Sequence, residues 1–202
     1  LVLRNEAIPI NIYIGVDIAA TATKQSDFQV IMVIGVDAKK NRYVLEYYRE
    51  RIPTFDLPQK IIDMARKYTP VRRVTIETVA AQEMVRDMVT RMAAADRRLI
   101  PGIFKGVKPP PGIKKADRLE TSLGPIVNNK KLYVRREMTE LVDEMFEHPV
   151  PKNDDLMDGL YYADYYSKAP LSTAISVSEM RSGKKGGSKL KGYYNWMTGA
   201  RR

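Results

Sequence analysis

Apolar positions along the chain change period several times, and each change marks an element. Ile12 to Val16 is a short apolar run ending in Asp17, and Phe28 to Val36 is a β-branched run ending in Asp37. Short runs that are apolar without alternation are what strands covered on both faces require. Tyr43 to Ile52 reads as a third, more exposed strand, and the short links among the three predict an antiparallel meander. The small and polar residues from Ala19 to Asp27 suit a turn beside a site rather than a core. After Pro53 the period lengthens, with Leu57, Ile61, Ile62, Ala65 and Tyr68 at helical spacing until Pro70 closes the segment. Val71 to Ile76 returns as a strand ending in Glu77. A helix from about Ala80 to Ala95 follows, with Met84, Val85, Met88, Val89 and Met92 on one face, then a fifth strand, Leu99 to Val107. The order is βββαβαβ.

Lys108-Pro109-Pro110-Pro111-Gly112 is a stiff loop that neither a helix nor a central strand accommodates. Beyond it the pattern predicts a helix near Lys115 to Val127, a short strand at Leu132 to Val134, and a helix from about Thr139 to His148. A last helix runs from roughly Asp154 to Tyr166, where Leu156, Leu160 and Ala163 form an apolar stripe that Pro170 ends. From Leu171 periodicity is lost, and the run Arg181 to Lys189 has the composition of a flexible basic tail. The expected organisation is one α/β domain over 1–170 and a tail over 171–202.

Composition adds constraints. With 202 residues, 44% apolar and 29% charged, the chain can bury one globular core. A formal charge of +10 and a pI near 9.6 give a surface field that attracts polyanions, nucleic acid or anionic membrane. The absence of cysteine excludes disulfides, thiolate catalysis and zinc-thiolate sites, so oxygen ligands must hold any metal. No apolar stretch approaches the roughly 18 residues of a membrane span, and Leu1 to Ile10 lacks a signal-peptide layout. A soluble protein of the cell interior, and a fragment since it starts at Leu1, is the expectation.

Candidate chemistry lies in the carboxylates. Asp17 and Glu77 each end an apolar strand, where an ionised carboxylate is costly to desolvate unless paired or bound to a cation. Read alone, each is equally a turn or surface acid. Asp154-Asp155-Leu156-Met157-Asp158 places three acids at a helix start, where capping is the plain explanation. Asp155 and Asp158 share a helical face, and a like-charge pair there is unfavourable without a cation. Four carboxylates converging with no His or Cys make a hard oxygen environment suited to Mg²⁺ or Mn²⁺. Two such ions about 4 Å apart can drive phosphodiester hydrolysis without a protein nucleophile.

Gly15-Val16-Asp17, Ser26-Asp27, Ile76-Glu77-Thr78, Lys115-Ala116-Asp117-Arg118 and Asp154-Asp155-Leu156-Met157-Asp158-Gly159-Leu160 together resemble the C-terminal nuclease domain of large terminase subunits of tailed bacteriophages, over roughly Ile12 to Lys168. The resemblance implies a ribonuclease H-like fold, a mixed sheet of five strands or slightly more with helices on both faces. It implies cleavage of concatemeric double-stranded viral DNA in the host cytoplasm, with two divalent ions held by Asp17, Glu77, Asp155 and Asp158. Asp154 is a further possible ligand, and which of the three helix acids ligate stays open. Implied partners are the portal, the small terminase subunit and an ATPase domain that would precede this chain. No Gly-x-x-x-x-Gly-Lys-Ser/Thr loop occurs, so no ATPase activity is expected. Two positions depart from the family: Asn153 stands where His is common and Gly159 where Ala is common.

Lys105, Lys108, Lys114, Lys115 and Arg118 flank the proline loop and could track DNA phosphates, or simply form a solvated face. By resemblance, Lys115 and Arg118 approach the site. The one histidine, His148, reads as a helix-ending surface residue, and Tyr161, Tyr162, Tyr165 and Tyr166 as core and rim. The competing functions are a junction resolvase or integrase-like nuclease of the same fold, and a non-catalytic nucleic-acid-binding module.

Overall fold

A computed structural model of the chain describes residues 2–3, 6–19, 28–78, 82–151, 153–170, 193–195 and 200–201. One mixed sheet contains β1 (Ile10–Asp17), β2 (Gln29–Asp37), β3 (Arg42–Glu50), β4 (Val71–Glu77), β5 (Phe104–Val107) and β6 (Leu132–Arg135). Two short strands, β7 (Tyr193–Asn195) and β8 (Ala200–Arg201), extend one edge, giving the spatial order β8-β7-β6-β3-β2-β1-β4-β5. A separate two-stranded ribbon pairs Val2–Leu3 with Glu6–Ala7. The helices are α1 (Leu57–Lys67), α2 (Gln82–Ala95), α3 (Lys115–Asn128), α4 (Thr139–Glu147) and α5 (Asp155–Asp164).

The predicted meander is present: β1 pairs with β2 and β2 with β3, both antiparallel. Strand β4 then crosses over to lie parallel to β1, and β5 parallel to β4. The fifth strand is shorter than its predicted range because Pro101–Ile103 forms a 3₁₀ turn first. Pro101 lacks the N–H that a ladder needs, and its fixed φ suits the first position of a helical turn. The turn segment 20–27 and the basic run 181–189 lie outside the described residues. Among the described residues, no helix is long and apolar enough to cross a membrane.

Strand parity divides the core in two. On β2, Val30, Met32, Ile34 and Val36 join one cluster with Leu119, Leu123, Leu141, Leu156 and Leu160 of α3, α4 and α5. Ile31 and Val33 join the other, with Ile61 and Ile62 of α1 and Val85 and Val89 of α2. Every residue of β2 is therefore buried, which is why its sequence does not alternate.

Helix α5 lies very close to β1 and β2. A Cβ placed on Gly15 would sit 2.2 Å from the Ala163 amide nitrogen and 2.2 Å from the Gly159 carbonyl oxygen. One placed on Gly159 would sit 2.6 Å from Val30 Cγ1. Gly159 thus answers the side chains beneath it, at a helix-propensity cost of about 1 kcal/mol. The far end of α5 is anchored by Arg42 Nε, which donates to Asp164 Oδ1 at 2.9 Å, and by the Tyr13 hydroxyl, which donates to the Lys168 carbonyl at 2.9 Å.

Candidate active site

Register and parity bring Asp17 and Glu77 together. Val16 pairs with Ile76 across the parallel β1–β4 ladder, so the two strand-ending acids are neighbours. Ile14, Val16, Val74 and Ile76 all point into the α1–α2 cluster, so Asp17 and Glu77 project from the opposite face, the one covered by α5. The chain beyond Asp17 is held in place: Gln82 donates to the Ile18 carbonyl at 2.6 Å, and the Ala19 amide donates to Gln29 at 3.2 Å. The first turn of α5 then sets Asp155 and Asp158 against these strand ends. A cavity of about 290 Å³ results, lined by Asp17, Glu77, Asp155, Asp158, Lys115 and Arg118, with Ile18, Ala19, Phe28 and Ile113 completing its wall.

Asp17 and Asp37 show how the same pattern, an acid ending an apolar strand, serves two ends. Asp37 accepts from the amides of Lys39 and Asn41 and from the Asn41 side chain, each at 2.8 Å, and from the Tyr43 hydroxyl at 3.0 Å. It is a hairpin-turn residue and fully engaged. Asp17 is also buried, yet among the described residues no donor hydrogen-bonds to it; its charged neighbours are Glu77 and Asp158, with the Lys115 ammonium as the smaller opposing charge. Burial, a contact with the Glu77 carboxyl and the charges of Asp158 and Glu77 together hold its pKa well above the usual carboxylate range. A buried acid surrounded by acids costs stability unless a cation joins it.

Capping does not explain the helix acids. The N-cap residue Asp154 makes no side-chain capping bond, and the capping acceptor is Glu144 of α4. Glu144 Oε2 accepts from the Leu156 amide at 3.0 Å and the Met157 amide at 3.2 Å. Arg49 of β3 lies between, with Nη2 3.6 Å from Glu144 and 3.5 Å from Asp155, and its guanidinium stacks 4.0 Å from the Phe28 ring centre. Asp158 is buried by α3, where Arg118 donates to Oδ1 at 2.8 Å and Lys115 pairs with Oδ2. Lys115 also donates to Asp154 at 2.7 Å, which is where the third helix acid goes.

The remaining expected residues fall elsewhere. Lys105 and Lys114 are exposed outside the cavity wall, and Lys108 pairs with Glu83 at 3.4 Å. His148 lies off the cavity. Tyr161 and Tyr162 are core, whereas Tyr165 and Tyr166 are partly exposed at the rim. The Tyr162 hydroxyl is buried beside Glu77, and burial together with the Glu77 charge raises its pKa.

No family model matches the chain, and no curated protein does. Solved structures do. The large terminase nuclease of a thermophilic phage, with bound zinc, superposes with a TM-score of 0.58 at 15% identity, over 83% of this chain and 93% of that one. A second structure of that nuclease gives 0.54 at 13% identity over the same shares. The fold is that of a large terminase nuclease. The yeast mitochondrial Holliday junction resolvase also aligns, with a TM-score of 0.50 at 11% identity over 78% of each chain. This is the ribonuclease H-like fold that the sequence resemblance implies, and the βββαβαβ order agrees with it.

Within this terminase-nuclease fold the donor set fits divalent ions. Asp17, Glu77, Asp155 and Asp158 offer carboxylate oxygens only, and among the described residues no sulfur or imidazole lines the cavity. Among the described residues no three acids close around a common point as they stand. Asp158 is paired with Lys115 and Arg118, and Asp155 with Arg49. Arg49 and Glu144 are the site residues that sequence reasoning missed. A signal existed for Glu144, which lies three residues from Leu141 and one from Met145 on the buried stripe of α4, where an acid is out of place.

A pH dependence follows. Burial, opposed only partly by the two amides and Arg49, pushes the Glu144 pKa up to about 7, and burial likewise raises Asp158. Each group binds its proton more tightly in the folded protein than in the unfolded chain. Stability therefore falls as pH rises from the ordinary carboxylate range towards 7. In EDTA, thermal unfolding should occur at a higher temperature near about pH 5 than near about pH 8. A rise across that interval would show that these carboxyls are not strained.

Proposed function

We propose that this chain is a divalent-metal-dependent endonuclease that cleaves double-stranded DNA with little sequence preference. The observation that carries the reading is the buried Asp17, with no hydrogen-bond donor among the described residues, facing Glu77 and Asp158 in a cavity that also holds Lys115 and Arg118. Asp17, Glu77, Asp155 and Asp158 would hold Mg²⁺ or Mn²⁺. Two such ions supply Lewis-acid polarisation of a phosphodiester and a more acidic attacking water. Asp17 and Glu77 stand on adjacent strands and so fix one side of the site rigidly. Arg118, packed 4.9 Å from the Tyr161 ring centre, presents a fixed guanidinium suited to a phosphate oxygen. No Ser–His or Cys–His pair is needed.

The biological setting supported by the fold and the sequence resemblance is the cutting of concatemeric viral DNA during genome packaging, inside the host cell. The portal, the small terminase subunit and an ATPase domain would be its partners. Junction resolution is the second reading, favoured by the resolvase superposition. Both are tested by incubating the protein with supercoiled plasmid and with a four-way junction, in Mg²⁺ or Mn²⁺, with and without EDTA. Nicking and linearisation of plasmid that EDTA stops, without preference for the junction, is expected. Junction-selective cleavage would favour the resolvase, and salt-sensitive binding without cleavage of either substrate would make the protein a binding module.

A further inference from the structure

The two cations on Asp158 are held very differently. Arg118 has a side chain only 9% exposed, lies over the rings of Tyr161 and Tyr162, and belongs to the buried face of α3. It cannot leave without opening the core. Lys115 begins α3, keeps 40% of its side chain exposed, and ends in an ammonium lodged between Asp154 and Asp158 inside the cavity. It can leave by rotating its own side chain.

We infer that Lys115 is a resident counter-cation, which blocks Asp158 Oδ2 until a DNA phosphate draws the ammonium out and a divalent ion takes its place. The inference rests on the metal-dependent reading of the site. With Lys115 in place both oxygens of Asp158 are engaged, and the cluster is partly neutralised. With Lys115 on a phosphate, Asp158 retains Arg118 on Oδ1 and offers Oδ2 towards Asp17 and Glu77. Metal loading and DNA binding then become positively coupled, because each favours the same position of one side chain. A nuclease so built would remain poorly loaded with metal until substrate arrives.

Mn²⁺ binding without DNA, followed by titration calorimetry of the wild type and of Lys115→Gln and Lys115→Arg, provides the test. The Gln variant should bind Mn²⁺ about tenfold tighter or more, since an opposing charge has left the site, whereas the Arg variant should stay close to the wild type. Lys115→Ala gives the same reading if the Gln variant folds poorly. In EDTA, where no cleavage occurs, the Gln variant's affinity for a short duplex should fall less steeply with salt, by about one unit of log–log slope. Equal or weaker Mn²⁺ binding by the Gln and Ala variants, with the wild type binding measurably, would overturn the exchange and leave the nuclease reading standing. Absence of Mn²⁺ binding in every form, wild type included, would overturn both.

Discussion

Replacing Asp17 with Asn should lower Mn²⁺-supported plasmid cleavage by about a thousandfold or more, a loss of ~4 kcal/mol of transition-state stabilisation. The same change should raise the melting temperature of the metal-free protein. Asp17 is buried beside Glu77 and Asp158 with no donor among the described residues, so its charge is a cost to folding. An amide of the same shape removes that cost and can donate to Glu77. The opposite signs are diagnostic: a turn or capping acid would lose stability on this substitution, whereas a ligand carboxylate loses function and relieves strain. A variant that is less stable and still active would return Asp17 to the class of Asp37.

The second large effect concerns no functional group. Gly15→Val should destabilise the protein by about 3 kcal/mol or more, a fall of roughly 10 °C for a chain of this size. The new Cβ would meet backbone atoms of α5 at Ala163 and Gly159, which cannot rotate aside, so the helix must move off the sheet. Asp155 and Asp158 ride on that helix, and cleavage should fall with its displacement even in molecules that stay folded. Gly159→Ala should be much milder. Its Cβ meets a side-chain methyl of Val30 rather than backbone, and the helix gains about 1 kcal/mol of propensity. Equal effects at the two positions would contradict the close packing of α5 on β1.

Much of the fold could be read from residue periods. Apolar runs in β1, β2 and β4 and the helical spacing in α1 and α5 are local signals, set by which faces are buried. The two strand-ending acids were legible for the same reason, since a strand's end and its parity both follow from the pattern. The helix acids were not resolvable, because capping and metal ligation ask for the same residues at the same place. Glu144, twelve residues before Leu156, takes the amides of Leu156 and Met157, so α5 has a capping acceptor from outside the acid run. Arg49 looked like one basic residue on an exposed strand; only α4 and α5 folding over β3 make it a buried partner of Asp155 and Glu144. Composition alone did not sort the lysines near the proline loop; the resemblance singled out Lys115, which lines the cavity while Lys105, Lys108 and Lys114 do not.

A divalent ion in the carboxylate cavity is the central requirement of a metal-dependent nuclease here. Crystals grown with a short duplex and Ca²⁺, then exchanged into Mn²⁺, would show this directly through anomalous scattering. Manganese bound by Asp17 together with Glu77 or Asp158 is the expected result. An ordered cavity without manganese, with Lys115 still seated between Asp154 and Asp158 while DNA is bound, would contradict it.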